Sequence, residues 1–393
     1  MYTTKPLSLY KDSPEAISLP PEGPNSAYLV VEDAKSTPTT CDMCLCTPSI
    51  KEMPFPQNKL LQLAIYHDTG DLPYYSYYTL YLIPVINQPL SSNRYYAIKT
   101  DGRHKGKAYA SAKEEDIGTC CFCFQSIPDI KPRTFDPEDI YQQFEFSMKR
   151  TCNSQVLVAK SVAPDGHPPS ILRIEGWIMS VVSQNNFTLG EAQGIDSSLR
   201  AHLPNFDFLS SEACSKSVVV GKWYCPFMFI KEGREKDQLK KSMFYEMTLE
   251  QRWERIFAAE RSNSEGKLVT VDVMVPTEMV RIAGQEAAQE ERNDDRKMMM
   301  FKTIVDGKVM EVGLSSLIVE RLVWEEERVG WVNVNEKDKR IRVVKDAEYA
   351  SVGDWRSFGC YLLVETFVLK TNYGSIVLTY DFKHTHQIRS KWE

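Results

Sequence analysis

Short stretches in which aromatic and β-branched residues alternate with polar ones recur along most of the chain. They predict strands at 28–31, 60–66, 74–83, 94–99 and 177–182. In the second half, 218–230 reads as two strand-like runs either side of Pro226, because proline cannot donate to a central ladder. Residues 268–275 alternate again. Asp306-Gly307 lies between 304–305 and 308–310, where a primed hairpin turn suits Asp-Gly. Two further pairs, 331–334 with 341–344 and 361–369 with 376–382, flank polar turns. Successive hairpins predict antiparallel sheet rather than a doubly wound parallel one.

Helical spacing is rarer. Asp136-Pro137-Glu138-Asp139 carries the caps of a helix start, with Ile140, Phe144 and Met148 following at four-residue intervals. Thr248-Leu249-Glu250-Gln251 has the form of a capping box. Leu249, Trp253, Ile256 and Phe257 then predict a helix over 248–261, with a separate one over 237–247. Residues 314–327 read both ways: Leu314, Leu317, Ile318 and Leu322 suit a helix, while Ile318, Leu322 and Trp324 share a strand face. The expected fold class is α+β, β-rich, with mainly antiparallel sheets and a few helices. Its expected division is a β-rich N-terminal domain over 1–184, a linker over 185–212 and a hairpin-built α+β domain over 213–393.

The 393 residues are 42% hydrophobic and 25% charged, ordinary globular usage with enough apolar side chains for a core. The net charge of −6 argues against a nucleic-acid partner. A local basic group, Arg94, Arg103, His104, Lys105 and Lys107 beside Tyr95 and Tyr96, reads as a hairpin with an exposed tip. No apolar run is long enough to predict a membrane-spanning helix. The opening lacks the apolar stretch of a secretory signal and the ending is no prenylation box. The expected compartment is the cytoplasm, or the nucleus, with thiols kept reduced.

Candidate chemistry begins with cysteine. Cys41, Cys44 and Cys46 form one cluster and Cys120, Cys121 and Cys123 another. Two short knuckles can assemble a tetrahedral structural zinc site, for which Cys41, Cys44, Cys121 and Cys123 are the candidate ligands. The alternative is packing, since free cysteine is often a small buried apolar residue. His384 and His386, two apart on one strand face, could chelate a metal or share a proton; a half-exposed strand end is the plainer reading. Glu325, Glu326 and Glu327 with Arg328 read as catalytic carboxylates or, as expected for such a run, a solvated charged face. No phosphate loop, dinucleotide fingerprint, nucleophile elbow or H-E-x-x-H occurs, so no catalytic residue is assigned and the reading leans away from an enzyme.

Longer segments carry a resemblance. They include 1–10, 19–26, 87–96, Lys113-Glu114-Glu115-Asp116 with Cys120-Cys121-Phe122-Cys123, and 160–166. Gly221-Lys222-Trp223-Tyr224-Cys225-Pro226-Phe227, 248–253 and Leu378-Thr379-Tyr380-Asp381-Phe382 continue it. Together they resemble a plant-specific family of unknown function, sometimes labelled insecticidal crystal toxin-like. The resemblance covers essentially the whole chain. It implies a plant intracellular protein linked to stress or defence, and it supplies no catalytic residues. The expected function is a binding or interaction module with a protein or small-molecule partner. The alternatives are a small-molecule enzyme or ligand carrier with an aromatic-lined pocket in the N-terminal half, and a toxin-like pore former.

Overall fold

The structure, a computed structural model, describes residues 1–36, 50, 52–68, 70, 72–120, 124–150, 155–174, 177–182, 188–261, 267–290, 298–332, 339–351 and 354–393. The chain divides into two compact units. The first comprises Met1–Ala192 and Tyr224–Phe244; the second comprises Gln193–Trp223 and Tyr245–Glu393. The described elements are β-rich, mainly antiparallel, with few helices. No described helix is long and apolar enough to cross a membrane.

The first unit is built on six strands: β1 (Leu60–His67), β2 (Tyr74–Pro84), β3 (Arg94–Lys99), β4 (Gln143–Arg150), β5 (Gln155–Ser161) and β6 (Ile178–Val182). Their order is β6-β1-β2-β3-β4-β5, antiparallel throughout. Leu61, Leu63, Leu82, Tyr95, Phe144, Phe146 and Trp177 close the core on one face. A parallel pair, Tyr2–Pro6 with Ala27–Val31, is an exception to the hairpin rule. The expected helix after Asp136 does not form. Asp139 caps a single 3-10 turn, Ile140–Gln142, by accepting from the Tyr141 amide at 3.1 Å, and β4 follows. Phe144 and Phe146 are both fully buried, so the four-residue spacing of Phe144 and Met148 belongs to a strand face, which it fits equally well. Tyr74, Tyr75 and Tyr77 are about half exposed on β2. Tyr95 and Tyr96 are buried and cannot stack bases, whereas Arg103 stands exposed in the following turn.

The second unit contains β7 (Phe244–Glu260), β8 (Leu268–Pro276), β9 (Glu278–Ile282), β10 (Met298–Val305), β11 (Lys308–Ser315), β12 (Arg340–Glu348), β13 (Ser357–Lys370) and β14 (Ile376–Trp392). Helix α1 spans Ser197–His202 and α2 spans Ser316–Glu327. The main sheet runs β9-β14-β13-β7. The helix expected over 248–261 is therefore a strand. Leu249, Gln251 and Trp253 alternate inward and are fully buried, and Gln251 bonds to the neighbouring strand rather than to a cap. Of the stretch expected to be helical over 237–247, only 237–241 is, as the end of a first-unit helix that spans Glu235–Lys241. The ambiguous segment resolves as α2, after Leu314 has ended in β11.

Asp306 and Gly307 adopt φ of 49° and 74°, the primed turn that joins β10 to β11. β12 pairs with β8 over its whole length. Trp331 is instead buried, its Nε1 donating to the Thr277 carbonyl at 3.1 Å; residues 333 and 334 lie outside the described set.

On β13 the Tyr361 ring lies over Gly359. Its Oη donates to the carbonyls of Ser210 (2.9 Å) and Glu212 (3.1 Å), and Phe206 and Phe208 pack edge-on against it. A Cβ at Gly359 would stand 2.6 Å from this pinned ring. Gly359→Ala is expected to destabilise the protein by about 1–3 kcal/mol, the usual cost of overpacking, in urea unfolding. A wild-type midpoint in the variant would show that the ring is free to move.

Candidate functional site

Five elements of the second unit converge on one buried guanidinium. Helix α1 is short; the Asp196 carboxylate caps it by accepting from the Leu199 amide at 2.9 Å. It presents Arg200, which is 6% exposed. The helix stops at Leu203, whose φ of 56° and ψ of 153° are ordinarily reserved for glycine, a strain of about 1–3 kcal/mol. Register between β7 and β13 sets Gln251 opposite Glu365, and its Nε2 donates to Glu365 Oε1 at 2.6 Å. Register between β13 and β14 pairs Leu363 with His384, then resumes at Leu362 with Ile388. The intervening Thr385, His386 and Gln387 form a bulge, a device that re-aims side chains. Gly330, at φ 95°, follows α2 and lets the His386 ring approach closely.

Arg200 uses every arm. Nε donates to Glu365 Oε1 (3.0 Å), Nη1 to the Glu325 carbonyl (3.0 Å), and Nη2 to Glu326 Oε1 (3.1 Å) and Glu365 Oε2. His384 Nε2 lies 2.9 Å from Glu326 Oε2 and 3.4 Å from Glu365 Oε2. Behind them, Glu325 pairs with Arg321 (2.5 Å) and Arg328 (3.4 Å). Glu325, Glu326, Glu365 and His384 are at most 1% exposed. Charges so deeply buried are tolerated only when mutually compensated and hydrogen-bonded.

Each group titrates accordingly. Burial works to raise Glu365, but hydrogen bonds from His384 and Arg200 outweigh it and hold the carboxyl well below its usual range. Burial and the neighbouring Glu365 charge raise Glu326 to about 8. Burial works to lower His384, yet its bonds to Glu326 and Glu365 raise it to about 9. Burial and the charge on His384 lower His386. The imidazole of His384 is therefore a proton holder at neutral pH, not a base. Glu326, Glu365 and His384 have ligand atoms within 4.8 Å of one another, a spacing a metal ion could use. The donor set does not fit one: the Arg200 guanidinium already occupies the cation position between Glu326 and Glu365.

A pocket of about 350 Å³ opens beside this network. Arg200, Gln251, Glu365 and His384 are among its polar lining; Ile195, Ala201, Leu203 and Leu363 supply apolar walls, and Arg328 and His386 also border it.

The sequence candidates fare differently. Cys41, Cys44, Cys121 and Cys123 lie outside the described residues. His384 is buried rather than part of a half-exposed strand end, because α2 and β13 bring carboxylates onto it. Glu325 and Glu326 are not a solvated face; only Glu327 of the three is exposed. Arg200 and Glu365 belong to no motif, and Gln251 only to the capping-box pattern, which gives it a different role. Glu365 did leave a signal, as the lone charge within the apolar run 361–369.

Among known proteins, the family model described as "Protein of unknown function (DUF1262)" matches residues 22–122. No curated protein matches the chain. The crystal structure of Cry35Ab1 is similar at 11% identity and a TM-score of 0.45, over 86% of this chain and 90% of that one. The pocket lies outside the residues matched by the family model.

Two outcomes follow from the network. Glu365→Gln, which takes the bidentate partner from Arg200, is expected to cost about 3–5 kcal/mol in urea unfolding. Glu326→Gln is expected to cost only about 1–2 kcal/mol, because its raised pKa already makes it a proton-bearing partner. The reverse order would refute this assignment of charge. Glu326 and His384 both bind protons more tightly when folded. Their contribution is thus complete at low pH and is lost as pH rises, through about 8 for Glu326 and about 9 for His384. The midpoint should fall between pH 7 and pH 10, and His384→Asn should flatten that slope. The lowered pKa of Glu365 acts oppositely, and only in acid below its ordinary 4.5.

Proposed function

We propose that this chain is a non-enzymatic binding protein for a small ligand, and that the pocket of the second unit is its site. The supporting observation is the pairing of an apolar recess of about 350 Å³ with a buried, hydrogen-bonded polar wall. Small-molecule sites share this composition: mostly apolar lining with a few fixed polar groups. The same observation argues against catalysis. All three nitrogens of Arg200 are already engaged, Glu365 is saturated with donors, and His384 carries its proton at neutral pH. None is an activated base or nucleophile. The tyrosine-rich strands, facing outward, are not the ligand-binding wall in this reading. The resemblance over the whole chain supports a setting in the reducing cytoplasm of plant cells, in stress or defence. The set Cys41, Cys44, Cys121 and Cys123 stands beside this as a proposed structural zinc site, resting on its sequence spacing.

Ala201 is exposed on α1 and lines the pocket, so Ala201→Phe fills the recess without disturbing the core. A fragment screen by ligand-observed NMR is expected to find compounds that bind the wild-type chain and lose at least about tenfold in affinity to this variant, about 1.4 kcal/mol. Fragments that bind both proteins equally, or none that bind either, would overturn the assignment.

A further inference from the structure

The sheet of the first unit has a second face that its core does not use. Register sets Tyr66 opposite Tyr75, Ala64 opposite Tyr77 and Ile178, and Gln62 opposite Thr79 and Ser180. Alternation puts all of these on the side away from the buried Leu61, Leu63 and Ile65. Tyr66, Tyr75 and Tyr77 are 49%, 47% and 60% exposed there. Their rings touch in series. Tyr66 meets Tyr75 at 5.3 Å between centroids, and Tyr75 meets Tyr77 at 6.3 Å with planes only 25° apart. A continuous aromatic strip left in water marks an interaction surface.

Cations gather at the edge of this strip. Pairing of β3 with β2 reaches Lys99 opposite Leu80; Thr100 Oγ1 then bonds to Thr79 Oγ1 at 2.6 Å, and Thr79 Oγ1 donates to Asp101 at 3.2 Å. The basic turn over 103–107 therefore starts beside Thr79, two residues along β2 from Tyr77 and on the same face. It folds back on β3, the Gly106 amide donating to the Lys99 carbonyl at 2.8 Å. Desolvation, and then the charges of Arg103, Lys107, Lys131 and Lys99, lower the pKa of His104, so four cations crowd one imidazole. Lys99 is paired with Asp101 at 3.0 Å, and the neighbouring Arg133 with Asp139 at 2.5 Å. Arg103, Lys105, Lys107 and Lys131 have no carboxylate partner among the described residues. One further acid, Glu235, comes to the far side of the turn, where its backbone packs against Gly106. The net charge of −6 belongs to the whole chain. At physiological salt, charges more than about 8 Å away are largely screened, so the local excess governs what docks here.

Aromatic faces beside unpaired cations are the means by which proteins hold single strands of nucleic acid: bases stack on the rings and phosphates meet the cations. A duplex keeps its bases stacked inside and cannot use the rings. An anionic membrane is a poorer match, because the rings lie along a sheet face and the hairpin end beyond them carries the exposed Asp68. We propose that this face of the first unit binds single-stranded nucleic acid, with bases stacked on Tyr66, Tyr75 and Tyr77 and phosphates paired with Arg103, Lys105, Lys107 and Lys131. Gln62 and Ser180, half-buried on the same face, offer an amide and a hydroxyl to base edges. The site does not rest on the pocket reading above.

Binding of fluorescein-labelled oligothymidylate and oligouridylate to the full chain is followed by fluorescence anisotropy between about 50 and 200 mM salt. Four phosphate contacts on a single strand predict that log K falls with log salt at a slope of about −3. The double variant Arg103→Gln with Lys131→Gln should halve that slope to about −1.5. Tyr77→Ala should weaken binding about fivefold or more at every salt concentration, with the slope kept, and Tyr77→Phe should bind as the wild type does. Should Tyr77→Ala lower the urea midpoint, Tyr75→Ala is read in its place. A duplex of the same length should bind at least about tenfold more weakly than the single strand. Equal binding of the duplex, or indifference to loss of the rings, would show a bare cation patch and overturn the proposal. Binding to phosphatidylserine vesicles or to polygalacturonate, with none to the oligonucleotides, would overturn the ligand class. Binding to none of these probes would overturn the site itself.

Discussion

A guanidinium bonded through all three of its nitrogens fixes the geometry of everything it touches. Arg200 links α1 to the backbone and side chains at the end of α2 and to Glu365 at the centre of β13. Gln251 closes the circuit by donating both to the Arg200 carbonyl and to Glu365. Four elements of different chain origin are therefore held in one arrangement by bonds that none can release singly. Removing one partner would strand a buried charge, which costs more than the pair itself contributes to stability. A network of this kind is poor evidence for net stability and good evidence for a unique arrangement.

That arrangement is what makes the recess beside it a defined site. The bulge at Thr385–Gln387 interrupts β14 where His384 meets the carboxylates, and Leu203 holds a backbone conformation that a non-glycine residue adopts only under constraint. Strain and irregularity thus gather on the lining of one pocket. A polar wall already bonded, with side chains that cannot swing, loses little entropy when a small molecule enters. The ordering has been done in folding, and affinity depends on what remains unmatched.

The strand-rich character was legible because it is local. Asp306-Gly307 sets its own turn, and the alternation at 268–275 needs no knowledge of partners. The two failed helix expectations share a cause. Four-residue spacing fits a helix, but two such residues also lie on one strand face, and Phe146 and Gln251 at the intermediate positions are what decide it. Gln251 looked like a capping residue because it is polar. It is buried because Glu365, more than a hundred residues away, needs its amide. The cap at Asp139 rather than Asp136 is a smaller instance of the same limit: both carboxylates can cap, and the choice depends on where the following strand must begin.

For the site, the sequence carried the acids and the histidine but not their meaning. Glu326 beside Glu325 and Glu327 looks like solvated charge until Arg200 and His384 are placed against it. Arg200 sits in a polar, glycine-punctuated stretch that resembles a linker, and nothing within α1 marks it as buried. Glu365 is the instructive case. A carboxylate flanked on both sides by apolar residues, in a strand buried on both faces, cannot be left without a cation. That requirement could have been read from the run 361–369 alone, and it predicts that some arginine, lysine or protonated histidine must come to it. What no linear reading supplies is which one. The answer here is two of them, Arg200 from a short helix and His384 from the neighbouring strand beside its bulge.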